Sequence, residues 1–135
     1  MRTAEGREGK NRILYEELSY KVRGCLFEVY NRLGTGFKET IYHNVLAKEL
    51  RLKNISYESQ KQLVIHYKEE KVGFYKPDFI IDTKIILEIK ALPEITNVAE
   101  NQLYNYLKAT QYKVGFLVNF GDKLDIKRRV FEEAR

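Results

Sequence analysis

The sequence predicts an α/β fold, a mixed central sheet flanked by helices, on three observations. Leu18, Val22, Leu26, Val29 and Leu33 recur at helical spacing, and Ile41, Val45, Ala47 and Leu50 do so again. Phe79 to Ile81, Ile85 to Ile89 and Lys113 to Asn119 are short runs rich in β-branched and aromatic residues. A third helical pattern lies between the last two runs, which makes a strand-helix-strand crossover and predicts that Ile85–Lys90 and Lys113–Asn119 are parallel.

At 135 residues the chain is long enough for one core and short for two, so we expect a tail over 1–12 and a single domain over 13–135. Met1 to Lys10 is polar and lacks the apolar segment of a secretory signal. No apolar run approaches the roughly 18 residues that span a bilayer. The one cysteine, Cys25, excludes an internal disulfide and fits a cytoplasmic protein; its place in a helical pattern predicts a packed core thiol. The net charge of +5 suits contact with a polyanion. Lys108 and Lys113 border one turn, and Lys123, Lys127, Arg128 and Arg129 cluster near the C-terminus, so these are the candidate phosphate contacts; a solvated surface is the alternative.

The first helix should stop at Gly34-Thr35-Gly36, where glycine permits a left-handed backbone. The second runs from about Lys38 to Lys53 and closes at Asn54. Glu39 sits in its first turn, where the positive helix end favours a carboxylate. Ser56 to Tyr67 reads as one strand, with Leu63, Ile65 and Tyr67 on one face and Val64, His66 and Lys68 on the other. Glu69-Glu70 turns the chain, and Val72 to Tyr75 begins a strand reaching Pro77 and Asp78, where proline implies an edge or a bend. Thr96 or Asn97 can cap the third helix, which buries Ala99, Leu103 and Leu107 and carries Gln102 and Tyr106 on an adjoining face. Leu124 to Phe131 fits either an extended or a helical segment. His43 and His66 lack the paired spacing of a zinc site and read as surface or sheet residues. Neither a nucleophile elbow nor a glycine-rich phosphate loop is present.

The chemistry falls on residues 77–90, where apolar runs carry charges that a buried strand would lack. Asp82-Thr83-Lys84 reads as a hairpin loop. Glu88 and Lys90 share one strand face with Ile86. A three-residue loop pairs Ile81 with Ile85 and sets Asp78 across from Glu88; a two-residue loop would separate the carboxylates. The first register is preferred, because facing carboxylates become oxygen ligands when a divalent cation lies between them.

Pro77-Asp78, nine residues, then Glu88-Ile89-Lys90 among aliphatics resembles the PD-(D/E)xK nuclease superfamily. Gly36-Phe37-Lys38-Glu39-Thr40-Ile41-Tyr42 matches the Gly-x-x-Glu-x-x-Tyr signature of the GxxExxY family within that superfamily. Gln102 to Tyr106 resembles the Gln-x-x-x-Tyr motif of its exonuclease-type members, and Val118-Asn119-Phe120-Gly121 before a basic tail resembles the same family. The resemblance covers roughly Leu18 to Val130. It implies a restriction-endonuclease-like core and a nuclease that holds Mg²⁺ or Mn²⁺ on Asp78 and Glu88, joined by Glu39 and the Ile89 carbonyl. Lys90 would orient a water or offset phosphorane charge, and Gln102 would position water or phosphate. The Tyr42 hydroxyl would hold a carboxylate, with Tyr106 in a supporting place. Nucleic acid, with DNA favoured, is the expected partner; a homodimer is a further expectation without a signature of its own. The alternatives are a binding or assembly module that keeps the fold without cleaving, and a non-nuclease metal-binding protein, for which Lys90 would be superfluous.

Overall fold

Helix α1 (Glu16–Leu33) forms on the first apolar stripe, and the computed structural model, which describes residues 14–132, buries Val22, Cys25, Leu26 and Val29 from it. The expected tail, 1–12, lies outside the described residues. Gly34 (φ 70°) ends α1 with its N–H on the Tyr30 carbonyl, and Gly36 (φ 105°) carries the turn onward. Helix α2 (Glu39–Leu52) follows and is closed by Asn54 in the left-handed region.

The buried stripe of α2 differs from the expected one. It consists of Tyr42, Leu46 and Leu50; Val45 and Ala47 pack at its margin, and Ile41 is exposed. The reason is Tyr42, whose ring stacks on Phe120 with centroids 4.3 Å apart and takes the central position. Its hydroxyl donates to the Gly34 carbonyl at 2.6 Å and accepts from the Phe37 N–H at 3.3 Å. Tyr42 therefore clasps the α1–α2 turn, and the expected bond to a carboxylate is not made.

The chain then forms β1 (Tyr57–Ser59), β2 (Leu63–Tyr67), β3 (Glu70–Tyr75), β4 (Phe79–Ile81), β5 (Ile85–Lys90), α3 (Asn97–Ala109), β6 (Val114–Phe120) and β7 (Leu124–Val130). The main sheet has the order β1-β4-β5-β6-β7, with β5 and β6 parallel and the other neighbours antiparallel. The right-handed crossover rule thus places α3 on one face. The expected single strand over Ser56–Tyr67 is divided, because Gln60 takes φ 56° and turns the chain out of the sheet. Its first part pairs with β4, while β2 pairs with β3 in a separate two-stranded ribbon. The strand expected to reach Pro77 and Asp78 stops at Tyr75, with β3 in the ribbon and β4 in the main sheet. Leu124 to Val130 resolves as a strand because each residue finds a partner on β6.

Two apolar clusters sandwich the sheet. α1 and α2 cover Phe79, Ile81, Ile85, Leu87, Phe116 and Val118, whereas α3 and the ribbon cover Ile86 and Leu117 with Leu103, Leu107 and Tyr75. Strand alternation thus assigns Glu88 and Lys90 to the α3 side. Thr96 caps α3, its hydroxyl oxygen accepting from the Ala99 N–H.

Tyr42→Phe keeps the stacked ring and removes both hydroxyl bonds. We expect about 1–2 kcal/mol of lost stability, read as a lower urea midpoint at unchanged slope. An unshifted midpoint would show that the clasp contributes nothing.

Candidate active site

The hairpin loop has three residues: Ile81 pairs with Ile85, Ile80 with Ile86 and Phe79 with Leu87. Continued, this register sets Asp78 opposite Glu88 and Pro77 opposite Ile89, as the sequence predicts. The pairing stops at Phe79 instead. Pro77 has no N–H to offer the Ile89 carbonyl, so the strand would gain little by going on. In its place the Asp78 side chain turns to the strand edge, and its Oδ2 accepts from the Ile89 N–H at 2.6 Å. The two carboxylates are thus adjacent without standing side by side. The Ile89 carbonyl points to the same edge as its N–H, because both groups of a strand residue face one neighbour.

Glu88 is half-buried and ordered by two donors. Tyr75 donates its hydroxyl to Oε2 at 2.5 Å, and the Asp78 N–H reaches Oε1 at 3.4 Å. The Tyr75 ring in turn stacks on Tyr106 at 3.8 Å, with the planes 2° apart. Tyr106 therefore supports Glu88 through Tyr75. Burial pushes Glu88 up to about 7, with the Asp78 charge adding to it, against the lowering influence of the Tyr75 bond and of Lys90. Tyr75 stays a phenol, because burial first and the Glu88 charge second both raise its pKa.

Lys90, Glu88, Gln102 and Tyr106 line one recess of about 20 Å³, room for roughly a single water. On the other side of Asp78 is a cleft of about 380 Å³, lined by Glu39, His43, Ser59, Asp78 and Ile89 among others. A larger hollow of about 790 Å³ lies beside Leu14 and Asp82 at the hairpin end of β4, whereas the smaller cleft is the one that Asp78 and Ile89 line. Glu39 is exposed in the first turn of α2 and reaches the cleft without joining Asp78 and Glu88. Among the described residues no three His, Cys, Asp or Glu side chains come together as a metal-holding cluster. Asp78 and Ile89 line the cleft, and the Glu88 carboxylate lies against the Asp78 N–H; the nearby donors are all oxygen, a set that suits a hard cation keeping several waters.

Two residues escaped the sequence reading. His43, expected on a surface or in the sheet, lies in the cleft on α2: its ring stacks on Phe79 at 4.3 Å, Nδ1 is 3.9 Å from Asp78 Oδ1, and Nε2 is 2.8 Å from the Ser59 hydroxyl. The available signal was its spacing of four from Glu39, one helical turn. Tyr75 had no signal, since only the ribbon's docking brings it to Glu88. Asn119 also acquires a role: its amide bonds both backbone groups of Leu92 and holds the chain that leaves Lys90.

The basic candidates do not share one surface. Lys113 precedes Val114, which pairs with Ile85 at the end of β5 opposite Lys90, whereas Lys108 lies in the last turn of α3, two residues past Tyr106. Lys127 lies in the row Glu88, Leu117, Lys127 across three strands and is 3.8 Å from Asp125. Arg129 is drawn to α3, 3.7 Å from Glu100 and over the Tyr104 ring. Arg128 occupies the opposite face, donates to the Leu14 carbonyl at 2.7 Å and has its pKa lowered by burial, so it ties the start of α1. Lys123 lies in the β6–β7 turn, at the same end of the sheet as Lys90.

Comparison with known proteins agrees with this fold. A family described as the PD-(D/E)XK nuclease superfamily matches residues 16–130. Among solved structures the chain is similar to the crystal structure of SSO0001, with 22% identity and a TM-score of 0.52, covering 89% of this chain and 61% of that one. That likeness is one of fold, and the chain spans about three fifths of the other's length. A search of curated proteins finds no match.

The raised pKa of Glu88 has a consequence for stability. From an ordinary value of 4.5 up to about 7, the folded metal-free protein holds a proton that the unfolded chain has released. Its stability should therefore fall as pH rises through that window, by about 3 kcal/mol. Calorimetry in a chelator should show this decline in wild type and a flatter profile in Glu88→Gln. Parallel profiles would assign the proton to another group.

Proposed function

The chain belongs to the PD-(D/E)XK nuclease superfamily, and on that premise we propose that it is a metal-dependent nuclease hydrolysing phosphodiester bonds of nucleic acid, with DNA favoured, and a member of the GxxExxY family. The observation that carries the proposal is the meeting of Asp78 and Glu88 where β4 leaves the edge of β5 at Ile89. Nucleases of this superfamily typically use divalent metal ions. Asp78, Glu88 and the Ile89 carbonyl would hold the ion, Mg²⁺ or Mn²⁺, with Glu39 facing it across the cleft. When bound, the ion supplies a Lewis acid for a phosphodiester oxygen and a water of lowered pKa.

The protein's own groups do the rest. Lys90 and Gln102, at one recess, orient a water and offset charge that builds on the phosphate. Tyr75, stacked on Tyr106, keeps a donor on Glu88, so that carboxylate holds its direction when it ionises. Lys127, in the same row as Glu88, and Lys123, at the same end of the sheet, are the basic residues best placed to meet flanking phosphates. A second reading, a module that binds nucleic acid on this fold without cleaving it, draws on the separation of Glu39 from the Asp78–Glu88 pair.

Calorimetric titration of Mn²⁺ into wild type, Asp78→Ala and Glu88→Ala tests the proposal, with plasmid, linear and single-stranded DNA and RNA assayed in parallel. Saturable binding in wild type should weaken by more than about tenfold in either variant. Cleavage should vanish with it while the far-ultraviolet spectrum is kept. Equal binding in all three proteins, with every substrate intact, would remove the site and leave the binding module.

A further inference from the structure

The β2–β3 ribbon has two unlike faces. Leu63, Ile65 and Tyr75 join the apolar cluster beneath α3, whereas Val64 and Phe74, partners across the ribbon, point the other way. The pairing slips between Ile65 and His66: Ile65 faces Gly73, yet His66 faces Lys71, which leaves Val72 as an extra residue. In a regular strand Lys71 and Phe74, three apart, would occupy opposite faces. The bulge brings them to one.

Along β3 the outer face therefore reads Lys71, then Phe74, with His66 beside Lys71 on β2, and Lys76 is the first residue after the strand ends. All four are exposed, and the Phe74 ring shows 59% of its surface. Among the described residues neither lysine lies in an ion pair. The inner face is tied directly to the site, through Tyr75 on Glu88. Phe74 is four residues from Asp78, so their Cα atoms are at most about 14 Å apart.

We infer that this outer face is a docking platform for a single-stranded segment of nucleic acid, with Phe74 stacking on a base and Lys71 and Lys76 meeting phosphates on either side. The platform rests on the nuclease reading above and adds where the substrate lies. Charge selects the occupant, since residues 60–77 carry four lysines against two glutamates. A second copy docked face to face would press like charges together, and lysine is depleted from protein interfaces. Stacking selects the strandedness: an exposed ring reaches the face of an unpaired base, which a duplex keeps covered.

The experiment uses the full chain in a chelator, with a labelled single-stranded oligonucleotide and the matching duplex, followed by fluorescence anisotropy over a range of salt. Phe74→Ala should weaken single-strand binding about tenfold without moving the melting temperature. Lys71→Ala with Lys76→Ala should lower the steepness of log affinity against log salt by about 1.4. Wild-type affinity and slope in both variants would overturn the platform, as would a wild-type dimer in sedimentation that Phe74→Ala dissolves. If wild type binds and cleaves and the variants match it, the platform alone fails. If wild type binds neither form, and cleaves neither once Mn²⁺ is added, the nuclease reading fails with it.

Discussion

One backbone hydrogen bond that no strand supplies, from the Ile89 N–H to the Asp78 carboxylate, decides where the site lies. A buried amide left without an acceptor costs about 1–3 kcal/mol, so the edge of β5 must be satisfied where β4 ends. Proline at position 77 makes a regular continuation unattractive, because it can accept from Ile89 but cannot donate back. A carboxylate one residue later solves the problem for the amide. The same departure leaves an edge of the sheet lined with oxygen atoms, Asp78 on the side chain and Ile89 on the backbone. Structure and proposed chemistry therefore draw on the same break in pairing.

Glu88 shows which effect wins at that edge. Two donors and a neighbouring lysine favour its charge, yet burial and the adjacent Asp78 outweigh them and hold the acid near neutrality. A carboxylate in this condition is stabilised either by a proton or by a cation, and under the proposed function the pair Asp78–Glu88 takes the second. The stacked Tyr75 and Tyr106 rings matter because they join the ribbon to α3 across Glu88. Movement of either element would be felt at the acid.

The signature around Glu39 divides its labour. Gly36 supplies a left-handed backbone, and Tyr42 locks the turn by bonding Gly34 and Phe37 while its ring fills the core against Phe120. Glu39 is the member left facing the cleft. The turn is thus a mounting for one acid at the start of α2. The basic residues are spread by the same architecture: alternation on β7 separates Arg128 from Lys127 and Arg129, and the parallel pairing of β6 with β5 puts Lys113 at the end of the sheet opposite Lys90.

The helices, the parallel pair β5–β6, the three-residue hairpin and the adjacency of Asp78 to Glu88 were all determined by the sequence alone, because each rests on spacing within a few residues or on a single crossover. The same local logic covers the glycine turn and the Thr96 cap. Tertiary structure decided what distant segments do to one another. Gln60 divides one expected strand and another stops at Tyr75, short of Pro77, since whether a chain stays in a sheet depends on which partner awaits it. His43 and Tyr75 reach the acids only after α2 and the ribbon have docked. Tyr42 bonds backbone instead of a carboxylate, and Arg128 ties α1, because burial removes them from the surface that their chemistry alone would suggest. Periodicity specifies which face of an element is apolar; only packing specifies what that face, and its polar edge, will meet.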